Sequence, residues 1–100
     1  MDIKKTKQDD TLTISLAGRL DTITQEELAT SLESVFAADK ANLVFDIEAL
    51  DYISSAGLRV LLTAQKKVNA LGSNMKITGA KPDIKEIFDM TGFSDIMTIE

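Results

Sequence analysis

The sequence has no cysteine, no histidine and a single proline, Pro82. Without cysteine there is no disulfide, no thiolate nucleophile and no Cys-based zinc or iron–sulfur site. Without histidine the chain lacks the usual general base at neutral pH, the usual partner in a nucleophilic triad and the commonest metal ligand. Positive charge is also scarce: eleven Lys and Arg against sixteen Asp and Glu leave a net charge of −5, the wrong sign for holding a phosphate backbone or an anionic membrane surface. Direct contact with nucleic acid or membrane is therefore not expected. The five glycines, at 18, 57, 72, 79 and 92, are scattered and form no phosphate-cradling loop. No apolar run approaches the roughly 20 residues of a membrane span, and Met1 to Asp10 is charged and polar, without the apolar core of a signal peptide. The location these features imply is cytoplasmic.

What is present describes a folded unit. At 44% hydrophobic and 27% charged residues the composition is that of a globular domain and not of a disordered chain. One domain is expected over residues 1–100, with no repeat, linker or low-complexity stretch. Leu12, Ile14 and Leu16 alternate with Thr11, Thr13 and Ser15, the period-two pattern of a strand with one buried face, and Gly18 is expected to mark its exit. An opening strand near Ile3 to Lys7 is placed to pair antiparallel with it. Thr24-Gln25-Glu26-Glu27 fits a capping box, in which the Thr24 hydroxyl meets an orphan amide and Glu27 reaches back, with Ile23 and Leu28 at staple positions. The helix starting near Gln25 has Leu28, Leu32, Val35 and Phe36 as its stripe and fades around Ala38, with Asp39 and Lys40 as the connection.

Leu43-Val44-Phe45-Asp46-Ile47, a nearly continuous apolar run interrupted by Asp46, suits a central strand covered on both faces. From Leu58 the spacing of Leu58, Leu61, Leu62, Val68 and Leu71 is helical, and Gly72 stops the helix. Met75 to Thr78 reads as a short strand. Pro82 suits the first turn of a helix that buries Ile84, Ile87 and Phe88 and ends at Gly92, and a last strand covers Ile96 to Ile99. This order implies an α/β fold: a mixed, partly parallel sheet of about five strands with three helices packed on it.

In sheets of this kind function gathers at the carboxyl ends of strands, where loops enter helices whose first amides are free. Here that place is Asp51-Tyr52-Ile53-Ser54-Ser55-Ala56-Gly57. On one reading Ser54 or Ser55 is a helix cap, contributing roughly 1 kcal/mol. On the other, two adjacent serines beside Gly57 offer an accessible hydroxyl suited to a protein kinase. Phosphate there gains from the helix dipole, adds about 1.5 to 2 negative charges, and would face Asp21, Asp46 and Asp51 if they share the loop surface, so that a binding face could be reversed while the fold survives. As a nucleophile, Ser55 lacks a base: only a Ser–Lys pair remains, and Lys66 and Lys67 lie about three turns along the helix. Asp21 reads as a turn residue and Asp46 as a strand-end polar group in preference to a catalytic or magnesium-holding pair. No catalytic residue, metal or cofactor is expected. Tyr52, Phe93, Met90 and Met97 stay open between core positions and exposed contacts.

Three segments in order, Leu16-Ala17-Gly18-Arg19-Leu20-Asp21, then Val44-Phe45-Asp46 with Tyr52-Ile53-Ser54-Ser55-Ala56-Gly57-Leu58, then Ile87-Phe88-Asp89-Met90-Thr91-Gly92-Phe93, resemble the STAS domain of bacterial anti-sigma factor antagonists. The resemblance runs from about Leu12 to Ile99. It implies that Ser55, two residues before the motif glycine, is phosphorylated by an anti-sigma factor that is itself a serine kinase. It further implies that the unphosphorylated protein docks on that kinase and frees a sigma factor, that phosphorylation breaks the docking, and that a metal-dependent serine phosphatase restores it. The docking face implied comprises Asp21, Asp46, Ser54, Ser55, Gly57 and Leu58, with Arg59 at its edge. Two departures stand out: Ser54 falls where many members have Asp, and the amphipathic helix that many members carry after the last strand has no counterpart before Glu100.

Other readings lead elsewhere. A non-switching STAS subunit docked on a membrane transporter or its ATPase would use Ser55 only as a cap. A small-molecule or nucleotide sensor would use the same loop, and an enzyme would need the Ser–Lys pair.

Overall fold

The computed structural model describes residues 1–38 and 42–100, so the connection expected at Asp39 and Lys40 lies outside the described residues. Along the chain come strands β1 (Asp2–Gln8) and β2 (Thr11–Leu20), helix α1 (Gln25–Ala38), strand β3 (Asn42–Ile53), helix α2 (Ser55–Leu71), strand β4 (Met75–Thr78), helix α3 (Pro82–Met90), a 3-10 turn at Phe93–Asp95 and strand β5 (Thr98–Ile99). The sheet order is β1-β2-β3-β4-β5, with β1 antiparallel to β2 and the other neighbours parallel. The expected α/β class, strand number and helix number all hold.

Strands taken in sequence order and joined by right-handed crossovers put all three helices on one face of the sheet. Register and burial agree. Ile14, Phe45 and Ile77 face the same way in neighbouring strands and are fully buried, whereas Thr13, Val44 and Lys76 form the half-buried row on the other face. The central strand is therefore covered on one face, not two, which is why it tolerates Asp46. Leu28 and Leu32 of α1, Leu61, Ala64 and Val68 of α2, and Ile84 and Phe88 of α3 complete one core. Val35, Phe36 and Ile87 pack at its margin, half-buried.

Several boundaries differ from expectation. Gly18 does not end β2. It lies inside the strand at φ +99, where the register with β3 shifts, and pairing resumes as Arg19 with Tyr52 and Leu20 with Ile53. Left-handed backbone, free of cost only in glycine, bends the strand and keeps it paired. β3 runs on through Asp51, Tyr52 and Ile53, which removes the loop expected there, and α2 begins one turn earlier than Leu58. The last strand is only Thr98–Ile99. Met97 is buried beneath the turn and Ile96 is exposed.

The Thr24 capping box is replaced by a different arrangement. Thr24 Oγ1 donates to the Arg19 carbonyl at 2.7 Å and accepts from the Asp21 amide at 2.9 Å. The Thr24 amide that Glu27 was to satisfy donates instead to Asp21 Oδ1 at 2.9 Å. Ile23 makes no staple: it is 82% exposed while Leu28 is fully buried.

Candidate partner-binding site at the start of helix α2

Two parallel strands, β2 and β3, deliver their carboxyl ends beside each other, and each feeds a helix. The Ser54 amide donates to the Leu20 carbonyl at 2.8 Å, which joins the end of β2 to the start of α2. Ser54 is the N-cap: its backbone is extended, and its hydroxyl accepts from the Gly57 amide at 3.2 Å. Capping is thereby assigned to Ser54. Ser55, the first helical residue, is exposed, and its amide and that of Ala56 have no acceptor within the helix.

Gly57 is what lets α2 approach so closely. A Cβ there would sit 2.6 Å from Leu20 Cγ, 3.0 Å from the Leu20 carbonyl oxygen and 3.1 Å from Ile53 Cγ1. Gly57 and Leu58, expected on the docking face, are both buried, Leu58 to 6% exposure. They face β2 and β3, so their part in the site is to set its shape. Arg59, one residue on, is exposed.

Asp21 follows Leu20 and so flanks the serine pair. Its Oδ1 accepts from the Thr24 amide at 2.9 Å and the Ile23 amide at 3.0 Å, and Arg19 Nε lies 3.7 Å from Oδ2. The Thr24 amide above all, with the Ile23 amide, the Thr24 hydroxyl and the Arg19 guanidinium, holds the Asp21 carboxyl below the ordinary carboxylate range, against a smaller opposing push from desolvation. The Arg19 guanidinium also stacks on Tyr52, 4.2 Å from the ring centroid, and Tyr52 remains 40% exposed. Arg19 was absent from the expected site residues. Its pairing with Tyr52 depends on the register beyond Gly18, for which the sequence carries no local signal.

Asp46 is not part of this cluster. It lies eight residues before Ser54 in the sequence, roughly 26 Å away along an extended strand. It points to the uncovered face, where Ser15 Oγ donates to Oδ2 at 3.4 Å and the Glu48 amide donates to Oδ1 at 3.1 Å. Asp51 is also turned away, ion-paired with Lys81. Asp21 and Asp46 are therefore too far apart to act as a carboxylate pair, and among the described residues no three potential metal ligands cluster. Lys66 and Lys67 are exposed on later turns of α2, roughly 16–18 Å of helical rise from Ser55, beyond reach of its hydroxyl. The arrangement offers an accessible hydroxyl, free helix amides and one fixed carboxylate, which suits recognition and modification by another protein. Among the described residues, no helix is long and apolar enough to cross a membrane.

Known proteins resemble this chain in sequence and in overall fold. The STAS domain family matches residues 2–100. The chain is 31% identical over 99 residues to BtrV of Bordetella bronchiseptica, named as a candidate anti-sigma factor antagonist, covering 99% of this chain and 85% of that one. It is 26% identical over 99 residues to the anti-sigma-B factor antagonist of Staphylococcus aureus, covering 99% and 92%. In fold it is similar to the anti-sigma factor antagonist SpoIIAA in its unphosphorylated form, with a TM-score of 0.84 at 18% identity over 99% of this chain and 88% of that one. SpoIIAA of Bacillus in its phosphorylated form also matches, with a TM-score of 0.77 at 18% identity over 99% and 91%. The chain belongs to the STAS domain family, and the two relatives compared with it in sequence bear the name of anti-sigma factor antagonist.

Proposed function

We propose that this protein is an anti-sigma factor antagonist working as a phosphorylation-controlled interaction switch, with Ser55 as its control point. The observation that carries the reading is the division of labour between the two serines. Ser54 is committed to the cap, while Ser55 stands exposed on the first turn. Phosphate on Ser55 meets free amides at a helix N-terminus, so the fold accepts it. The same phosphate adds about 1.5 to 2 negative charges beside Asp21 and changes the sign balance of the surface.

In this reading the unphosphorylated face, Asp21, Ser54, Ser55 and Arg59 with Arg19 and Tyr52, docks on an anti-sigma serine kinase in the cytoplasm. Gly57 and Leu58 shape it from beneath. The kinase transfers phosphate to Ser55 and releases the protein, and a metal-dependent serine phosphatase resets it. The chain itself performs no catalysis. The names of its relatives, and the existence of SpoIIAA in both phosphorylated and unphosphorylated forms, support this cycle.

The test is the affinity of purified wild-type, Ser55→Ala and Ser55→Asp proteins for the anti-sigma kinase of the same cells. Ser55→Ala binds like wild type, and Ser55→Asp, folded by circular dichroism, binds at least about tenfold more weakly. Equal binding by all three contradicts the switch.

A further inference from the structure

Helices α1 and α2 start side by side and run in the same direction away from the serine pair. They do not close against each other completely. Between them lies an open groove of about 670 Å³ that begins at Gln25 and Ala56 and ends near Ala37 and Lys67. Its floor is apolar, formed by Leu32 and Phe36 from α1 and by Val60 and Ala64 from α2. From Ala56 to Lys67 the groove follows roughly 16 Å of helix axis, the length of three helical turns.

The charge along its edges is asymmetric. Arg59 and Lys67 mark the α2 edge two turns apart, with Thr63 between them, and Glu33 lies on the α1 edge. Among the described residues neither Arg59 nor Lys67 is in an ion pair: the three that form are Arg19–Asp21, Lys76–Glu100 and Lys81–Asp51. In a chain of net charge −5, two exposed cations along one wall of an apolar trough are the local opposite of the general field.

We infer that this groove docks an amphipathic helix of a partner protein, apolar face down, with acidic residues along Arg59 and Lys67 and a basic residue toward Glu33. Length, apolar floor and edge charge each match such a helix, and helix-in-groove docking uses these three features. Arg59 belongs both to this edge and to the surface around Ser55, so the groove extends that surface along α2. The inference does not depend on phosphorylation.

The experiment uses a side-chain-stapled helical peptide of about four turns, with Leu on one face and Glu beside it, titrated into the 15N-labelled full chain and followed by backbone amide shifts. Expected are saturable shifts confined to residues facing the groove, binding at least about tenfold weaker to the Arg59→Glu, Lys67→Glu double variant, and similarly weak binding of a Leu and Lys peptide to wild type. Absence of saturable shifts overturns the proposal, as does charge-independent binding. Groove shifts produced by dodecanoate but not by the Leu and Glu peptide also overturn it, in favour of an acyl chain, and concentration-dependent shifts without any peptide overturn it in favour of a second copy. The probe contains no kinase, so failure of the groove leaves the Ser55 switch standing, and the reverse.

Discussion

The Ser54 amide donates to the Leu20 carbonyl at 2.8 Å, and this single hydrogen bond binds the acidic turn after β2 to the serine pair that opens α2. Asp21 is the next residue after Leu20, and Ser55 the next after Ser54. A charge placed on Ser55 is therefore added to the same strand-end surface that carries Asp21. The neighbourhood is closely packed, with a glycine where a side chain would meet Leu20 and Ile53.

The two serines differ in what their loss does to stability. Ser54→Ala removes the acceptor of the Gly57 amide and lowers stability by about 1 kcal/mol. Ser55→Ala, at an exposed position, changes it by less than about 0.5 kcal/mol. Urea denaturation of both variants checks the order, and a larger loss for Ser55→Ala reverses the assignment of the cap.

Gly57→Val forces methyl groups toward Leu20 and Ile53, where even a Cβ finds neighbours at 2.6 to 3.1 Å. Overpacking of this kind costs about 2 to 3 kcal/mol. Denaturation reads the loss. Because the strain lies under the site, the folded fraction also docks less well than Ser55→Ala.

Asp21 gives the protein an acid-sensitive component of stability. Its carboxyl titrates lower in the folded protein than in the unfolded chain, so the ionised form is favoured by folding. That stabilisation is fully present above the unfolded value of about 3.9 and is lost as pH falls through the lower folded value, because the unfolded state then holds the extra proton. Denaturant titrations between about pH 2.5 and 6 should show stability rising with pH in wild type and rising less steeply in Asp21→Asn.

How much of this was legible in the sequence depends on whether the cause was local. The alternation of Leu12, Ile14 and Leu16 and the helical stripe from Leu58 to Leu71 announce their elements because a period of two or 3.6 is written in neighbouring residues. Strand register is not local. Gly18 read as an exit because glycine ends many strands, and only its pairing with β3 shows that the chain bends there and continues. The same register carries β3 to Ile53, sets Asp46 far from the site and brings Arg19 onto Tyr52. Either serine hydroxyl suits a cap, so the choice of Ser54 waited on the contact of Gly57 with Leu20. Leu58 belonged to the motif, but that it faces inward follows from helix phase against the strands.

Arg19 and Tyr52 form a coupled pair on the surface of the site. Their guanidinium–ring contact at 4.2 Å should give a coupling of about 0.5 to 1 kcal/mol in a double-mutant cycle of Arg19→Ala and Tyr52→Ala. A coupling near zero means that the stack is not held in solution.

The central claim is that Ser55 carries the switch, and intact-mass and peptide mass spectrometry of the protein purified from its own cells tests it most directly. Phosphate is expected on Ser55 and not on Ser54, at an occupancy that falls when the pathway is active. Ser55 without phosphate under every growth condition tested would contradict it and leave that residue as an exposed position in the first turn of α2.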